Sequence, residues 1–107
     1  MSEGTSENSN RLKLTGEVVN EFQTRTSPAG IPITRFTLEH ISLQIEAGNQ
    51  RKVECRIVVM VLGEMLHIKL NGLGKGAKVK VDGFICYESS QKMETRLVLH
   101  ALDINSI

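Results

Sequence analysis

The feature that most constrains the fold is a turn that leads directly into a long strand, in the segment Ser27–His40 (SPAGIPITRFTLEH). Pro28 presets its own φ and Gly30 tolerates a positive φ, so the first four residues are predicted to form a reverse turn. Pro32 has no backbone N–H and must therefore lie at the start of a strand or on a sheet edge. The residues that follow predict a strand that continues to about Glu46.

The apolar residues of this strand do not keep a single alternation. They are Ile33, Phe36, Leu38, Ile41, Leu43 and Ile45. The set changes from odd to even positions after Ile33 and returns to odd positions after Leu38. Such phase changes predict β-bulges or a sharp bend. A long bent strand after a Pro/Gly turn favours a small closed barrel.

Three other segments show the alternation of apolar and polar residues that is typical of strands. They are Arg11–Val19, Ala77–Ile85 and Leu97–Ile104. Gly16 interrupts the first segment and predicts a bulge or a close backbone approach, and Gly83 predicts a kink in the second. The connections are predicted to be a loop over Asn20–Gly30, a hairpin turn over Ala47–Gln50 and a polar loop over Tyr87–Lys92.

The strand Arg51–Leu62 has two halves of different character. Its first half alternates apolar with charged residues, whereas every residue from Ile57 to Leu62 is apolar. Such a run predicts burial on both faces of the sheet. Because a small barrel covers only one face, we expect a second subunit of a homodimer to cover the other. The predicted interface residues are Val58, Met60 and Leu62.

The order of these elements predicts an all-β protein with the OB-fold, a five-stranded Greek-key barrel. A possible short helix lies between strands 3 and 4, within Gly63–Leu73. The usual binding surface of this fold is formed by strands 2 and 3 with the loops that join strands 1–2 and 4–5. The glycine-rich segment Asn71–Gly76 lacks the strand–loop–helix order of a phosphate-binding loop, which favours a simple turn.

Composition predicts one domain over residues 11–107, preceded by a disordered polar tail over residues 1–10. The chain of 107 residues has a net charge of +1. Glu3 and Glu7 both lie in the tail, so the remainder carries about +3 and is mildly basic. No apolar run approaches the length of a membrane span, and the N-terminal residues do not show the basic-then-apolar pattern expected of a secretion signal. The two cysteines do not form a disulfide framework, which favours a cytoplasmic location.

No arrangement of side chains indicates catalysis. Nucleophile–base pairs, paired carboxylates and metal triads are absent at any usable spacing, so we expect no enzyme and no cofactor. Nothing in the spacing of His40, His67, Cys55 and Cys86 favours a zinc site. We expect His40 and His100 to be structural and the two cysteines to lie in the core.

Several segments resemble the bacterial primosomal replication protein N family, a relative of bacterial single-stranded DNA-binding proteins. These segments are Asn10–Gly16, Ser27–Pro32, Phe36–His40, Glu46–Gly48, Gly83–Ile85 and Leu97–His100. The similarity covers residues 10–104, and SPAGIP followed by FTLEH is its most distinctive part. The resemblance implies a homodimer of OB-folds that binds single-stranded DNA. It also implies a bridge between a replication-restart helicase and the next loading factor of the primosome.

The chain departs from the family where DNA contacts are expected. Members that bind single strands well resemble one another in carrying aromatic residues where this chain has Asn49 and Glu54. The loop between strands 4 and 5 is lysine-rich in such members but here contains only Lys92 beside Glu88. Affinity for single strands rests on phosphate neutralisation and on base stacking worth about 1–3 kcal/mol per base. We therefore expect weak DNA binding, or alternatively a protein-interaction adapter with negligible DNA binding of its own.

The remaining basic and aromatic residues supply the candidate DNA contacts. They are Arg25, Arg35, Arg51, Lys52, Tyr87, Lys92 and Arg96. Arg25 and Arg96 match basic positions of the family that the chain resembles. Arg35 either faces the binding groove or pairs with Glu39, and Tyr87 either stacks on a base or remains an ordinary loop residue. Phe22 is predicted to plug one end of the barrel.

Overall fold

The structure is a computed structural model that describes residues 8–88 and 96–107. Its elements in chain order are β1 (Leu12–Val18), β2 (Gln23–Thr26), β3 (Pro32–Glu46), β4 (Asn49–Leu62), α1 (Glu64–Ile68), β5 (Lys78–Glu88) and β6 (Arg96–Ser106). The predicted tail falls mostly on residues 1–7, which lie outside the described part. Asn10, at its end, holds the backbone N–H and carbonyl of Ile85 through its side-chain amide, at 3.0 and 2.7 Å.

The strands form one sheet in the order β1-β5-β6-β4-β3-β2, and an additional pairing of β1 with β3 closes five of them into a barrel. The β4–β6 pair is parallel, and the other pairs are antiparallel. The short helix α1 follows β4. This is the OB-fold with a helix between the third and fourth barrel strands, and the predicted fold class is confirmed.

The predicted turn joins two paired strands. Ser27 and Gly30 close it through a backbone hydrogen bond of 2.8 Å, and Gly30 adopts a φ of 86°. Strand β2 precedes the turn and pairs with β3, so the prediction of a loop throughout Asn20–Gly30 is wrong. All four residues of β2 are polar and exposed, so they carry no apolar alternation, and pairing with the backbone of β3 defines the strand.

The bulges predicted in β3 are absent, because its register with β4 is continuous from Ile33↔Leu62 to Glu46↔Asn49. Phe36 and Leu38 point into the core, whereas the later apolar residues point to the other face, where they are exposed. These outward residues are Ile41, Leu43 and Ile45. Strands β3 and β4 continue past the barrel as a two-stranded hairpin tip (residues 41–54). Because this tip has no core on either face, its apolar residues need not lie on the same face of β3 as Phe36 and Leu38.

Glycines at two strand crossings allow the barrel to close, as their positions in the sequence predicted. A Cβ at Gly16 would collide with the carbonyl of Glu39, where β1 meets β3. A Cβ at Gly83 would collide with the carbonyl of His100, and the β5–β6 register shifts between Asp82 and Gly83. Both positions need a residue without a Cβ because another backbone lies against them.

The core fills the barrel with small and branched side chains around Phe36. Its fully buried members include Val18, Leu38, Val59, Val61, Val79, Val81, Leu99 and Ile104. Leu66 from α1 and Leu70 from the segment after it pack on this cluster, so the predicted short helix covers the core. Phe22 also packs there, with its ring centroid 5.1 Å from that of Phe36, as predicted.

The cysteines do not lie in the core, and this prediction is wrong. Cys55 is exposed and Cys86 is half-buried, and both are free thiols. Cys55 lies opposite His40 in the β3–β4 register, next to the hairpin tip, where the barrel no longer covers β4. His40 is structural, since its Nδ1 lies 2.7 Å from the carbonyl of Thr15. Within residues 8–88 and 96–107, no helix is long and apolar enough to cross a membrane.

Candidate nucleic-acid interface

An OB-fold binds its ligands on the outer face of the sheet, the side that points away from the core, at its second and third barrel strands, which are β3 and β4 here. Buried residues such as Phe36, Val59 and Leu99 alternate with residues that point outward, because successive side chains of a strand lie on opposite faces. The outer face comprises Arg25, Ile33, Arg35, Val58, Met60, Leu62, Phe84, Cys86, Glu88, Arg96, Val98 and His100. Part of it forms a pocket of about 110 Å³ between β2, β3 and β4.

The outer face is shielded from water near its centre. Val98 is 1% exposed, although it does not belong to the cluster of side chains inside the barrel. Its neighbours in register are Val58 on β4 and Cys86 on β5. Beside it the rings of Phe84 and His100 stack at 5.2 Å with an interplanar angle of 5°. The outer face therefore has an apolar, partly aromatic floor.

Arg35 lies above this floor and pairs with Glu88. Its Nη2 donates to Oε1 of Glu88 at 3.0 Å, and its Nη1 donates to the second carboxylate oxygen. The same Nη1 lies 3.9 Å from the sulfur of Met60. The predicted alternative of a pair with Glu39 is wrong, since Glu39 accepts from Nε of Arg56 at 2.8 Å. Arg35 points outward from β3, opposite Met60 on β4.

Three of the predicted DNA contacts lie on the same outer face as Glu88, and Arg35 contacts its carboxylate. The hydrogen bond from Arg35 holds the pKa of Glu88 below its usual value, and the charges of Arg35, Arg96 and Arg25 lower this pKa further. The hydrogen bond to Glu88 in turn raises the pKa of Arg35. Arg96 is the direct cross-strand partner of Glu88. Arg25 lies on β2, on the same face as Arg35. The structure thus brings together an arginine trio, namely Arg25, Arg35 and Arg96.

Two other predicted contacts, Arg51 and Lys52, lie far from the arginine trio. They belong to the hairpin tip, nine and eight residues along β4 from Met60 respectively, which corresponds to about 30 and 26 Å at ~3.3 Å per residue. Arg51 pairs with Glu46 at 2.5 Å. Lys52 lies opposite the exposed Leu43. Asn49 and Glu54, which stand where aromatic residues were expected, are also exposed in this region.

Tyr87 belongs to strand β5 rather than to a loop, so the predicted loop boundary is wrong. Strand β5 extends to Glu88 because it pairs with β6 beyond the end of the barrel, with Tyr87 opposite Leu97. The Tyr87 ring is exposed but lies on the other face of β5 from Glu88. The strand therefore does not direct this ring toward the arginine trio. Lys92 lies outside the described residues.

The predicted dimer residues lie on the same outer face as the arginine trio. Val58 and Met60 are half-buried within the single chain, and Leu62 is 41% exposed. Met60 is directly opposite Arg35, and Leu62 is opposite Ile33. The predicted subunit interface and the predicted DNA contacts thus overlap.

Sequence reasoning missed the central position of Glu88 and the aromatic part of the floor. Phe84, Cys86 and Glu88 share one face of β5, and their alternation was present in the sequence. The contact of Glu88 with Arg35 joins residues 53 positions apart, on strands separated by two others in the sheet. A local sequence pattern contains no signal for such a contact.

A closed five-stranded barrel with an open, arginine-bearing outer face defines this chain as an OB-fold protein. Residues 10–103 match the model of a family described as another single-strand binding protein family. The chain belongs to that family.

Relatives and solved structures agree with this assignment. Replication restart protein PriB of Proteus mirabilis is 41% identical over 98 residues, which cover 92% of this chain and 93% of that protein. The structure of the protein PriB from Ralstonia solanacearum is similar with a TM-score of 0.75 and 27% identity, and the match covers 92% of this chain and 98% of that one. A Plasmodium falciparum SSB in complex with ssDNA has a TM-score of 0.79 at 14% identity, over 96% and 98% of the two chains, and shares the fold.

Proposed function

We propose that this protein binds single-stranded DNA across its outer face as a component of replication restart. The observation that carries the proposal is the placement of Arg25, Arg35 and Arg96 on the outer face of the barrel, on β2, β3 and β6. Guanidinium groups pair with phosphates in the same bidentate geometry that Arg35 uses with Glu88. Its relatives are named replication restart protein PriB, which supports a role in replication restart. We place this role in the cytoplasm.

The chemistry of the outer face suits a DNA strand that lies along it. The arginine trio neutralises phosphates, and the apolar floor around Met60 and the Phe84–His100 pair receives bases.

Binding is weak, because Glu88 occupies Arg35 and the hairpin tip carries no aromatic ring at Asn49 or Glu54. A titration of fluorescent oligo-dT over a series of salt concentrations tests this. We expect a dissociation constant above the micromolar range at physiological salt, and sub-micromolar binding would refute weak binding.

The contribution of the arginines is tested with the double variant Arg25→Gln/Arg96→Gln. For a single strand, each phosphate that the protein no longer neutralises should reduce the slope of log K against log salt by about 0.7. The matched control is Lys75→Gln, since Lys75 is exposed in the turn between α1 and β5, outside the sheet. Equal slopes for the double variant and the wild type would contradict the proposed site.

A second candidate function is that of a protein-interaction adapter with negligible DNA binding of its own. It is favoured by the exposed apolar row of the hairpin tip, where Ile41, Leu43 and Ile45 are 54%, 63% and 71% exposed. In the role implied by the family resemblance, the chain bridges the restart helicase to the next primosome loading factor. Fluorescence anisotropy of labelled DNA, with and without the helicase, separates the two functions. Binding only in the presence of the helicase would favour the adapter.

We further propose a homodimer whose interface includes Val58, Met60 and Leu62. Exposed Leu62 and the half-buried Val58 and Met60 support this role for the outer face. A different surface for self-association is the edge of β1, because residues 12–16 pair with β5 alone. The variant Val58→Glu should produce monomers in analytical ultracentrifugation. A stable Val58→Glu dimer would favour the edge of β1.

A further inference from the structure

Glu88, at the end of β5, contacts Arg35 on β3, a strand that does not pair with β5. Strands β5 and β3 are separated in the sheet by β6 and β4, yet the carboxylate of Glu88 contacts both terminal nitrogens of Arg35. The end of the β5–β6 pair must therefore lean over the outer face above Met60, which contacts the same guanidinium. The two side chains are 31% and 29% exposed, so the pair is partly shielded from water.

The contact occupies the groups that phosphate would use. A guanidinium presents two parallel N–H donors to a carboxylate or to a phosphate, and a donor pair occupied by one cannot bind the other in the same geometry. Glu88 also faces Arg96 across the β5–β6 ladder, and the charge of Arg25 reaches it. One carboxylate thus lies among the three cations of the proposed DNA site.

We propose that Glu88 is an intramolecular competitor of the DNA phosphate and that its pairing with Arg35 limits the affinity of the outer face for single-stranded DNA. This inference rests on the proposed function. A DNA strand that enters the site must displace the carboxylate from Arg35 or leave Arg35 unused. In either case the strand also meets the negative charge of Glu88. The residue therefore determines affinity without being a DNA contact itself.

The experiment compares oligo-dT binding by the wild type, Glu88→Gln and the matched control Glu64→Gln. Glu64 lies in the first turn of α1, outside the sheet, and its substitution makes the same change in net charge. Glutamine keeps the size of the Glu88 side chain and removes the charge. We expect Glu88→Gln to bind about three- to tenfold more tightly, because breaking a charge-assisted contact no longer opposes binding. Its salt slope should steepen by about 0.7, corresponding to one additional phosphate contact.

A third variant shows whether the gain acts through Arg35. The double variant Glu88→Gln/Arg35→Gln should lose the gain, whereas a general electrostatic effect would persist in it. Thermal melting of each variant confirms that it is folded. Equal affinities of Glu88→Gln and Glu64→Gln would overturn the proposal, as would weaker binding by Glu88→Gln, which would make Glu88 a positioning residue for Arg35.

Failure of the proposed function has a different signature. If Arg25→Gln/Arg96→Gln binds oligo-dT as the wild type does, the arginine trio is not the DNA site, whatever Glu88→Gln shows. If the trio variant loses affinity while Glu88→Gln gains none, the DNA site stands and the competitor role of Glu88 does not. Absence of binding by both the wild type and Glu88→Gln at low salt would overturn both.

Discussion

Arg35 and Met60 face each other across the β3–β4 ladder, and the guanidinium Nη1 lies 3.9 Å from the methionine sulfur. One residue was predicted to contact DNA and the other to contact a second subunit. Because the two side chains touch, the predicted DNA site and the predicted subunit interface occupy the same surface. A DNA strand and a large subunit interface cannot occupy it together.

We therefore expect DNA binding and self-association through this face to exclude each other. Adding oligo-dT should shift the protein toward monomers in sedimentation velocity, with a DNA-free sample at the same concentration as the control. A dimer that persists at saturating DNA would place the subunit interface elsewhere, and the edge of β1 is then the surface to test.

The aromatic floor gives a second prediction. Replacing Phe84 with Leu keeps an apolar side chain but removes the ring that stacks on His100. Because a base stacked on a ring contributes about 1–3 kcal/mol, we expect oligo-dT affinity to fall by at least severalfold. The slope against salt should remain unchanged, since the same phosphates are neutralised. The control is Tyr87→Leu, whose ring lies on the other face of β5, and equal effects of the two variants would contradict the assignment.

Closure of the barrel at Gly83 gives a prediction about stability. A methyl group there would collide with the backbone of His100, which cannot move without disturbing the β5–β6 ladder. We expect Gly83→Ala to lower the free energy of unfolding by about 1–3 kcal/mol or more, measured by urea denaturation. Gly74→Ala is the matched control, because a Cβ at Gly74 meets no atom within 4 Å. Similar stabilities for the two variants would show that the barrel adjusts at this crossing.

The lowered pKa of Glu88 predicts a pH dependence of stability. The folded protein favours the ionised carboxylate because Arg35, Arg96 and Arg25 surround it. The pair therefore stabilises the fold above the unfolded pKa of Glu88, and this contribution is lost as the pH falls through the lower folded pKa.

Urea denaturation of the wild type and Glu88→Gln at several pH values measures this contribution. We expect the wild type to be more stable near neutral pH and the difference to disappear in acid. A difference that is independent of pH would mean that the substitution acts through shape or packing and that the charge of Glu88 has no part in stability.

Several structural features followed directly from local sequence. Pro28 and Gly30 predicted the turn, and alternation with interruptions at Gly16 and Gly83 predicted strands of a closed barrel. These predictions succeeded because a proline ring, a missing Cβ and a period of two act within a few residues. Strand β2 was missed for the converse reason, since its polar residues carry no pattern and only the neighbouring backbone of β3 makes them a strand.

The candidate site was predictable only in part. The sequence identified Arg25, Arg35 and Arg96 as candidates, and the structure brings these three together while leaving Arg51 and Lys52 on the hairpin tip. The parity of Ile41, Leu43 and Ile45 suggested bulges, because an apolar side chain in a strand is expected to reach a core. The structure shows instead that β3 extends beyond the barrel, where these side chains are exposed.

Local sterics and periodicity thus determined the turn at Ser27–Gly30 and, with the interruptions at Gly16 and Gly83, the strands from which the barrel is built. Which charges meet on that barrel was decided by the tertiary structure. The curvature of the sheet brings Glu88 across two strands to Arg35. Contacts between residues far apart in sequence depend on how the strands curve and cross. The alternation of residues along a single strand cannot predict such contacts.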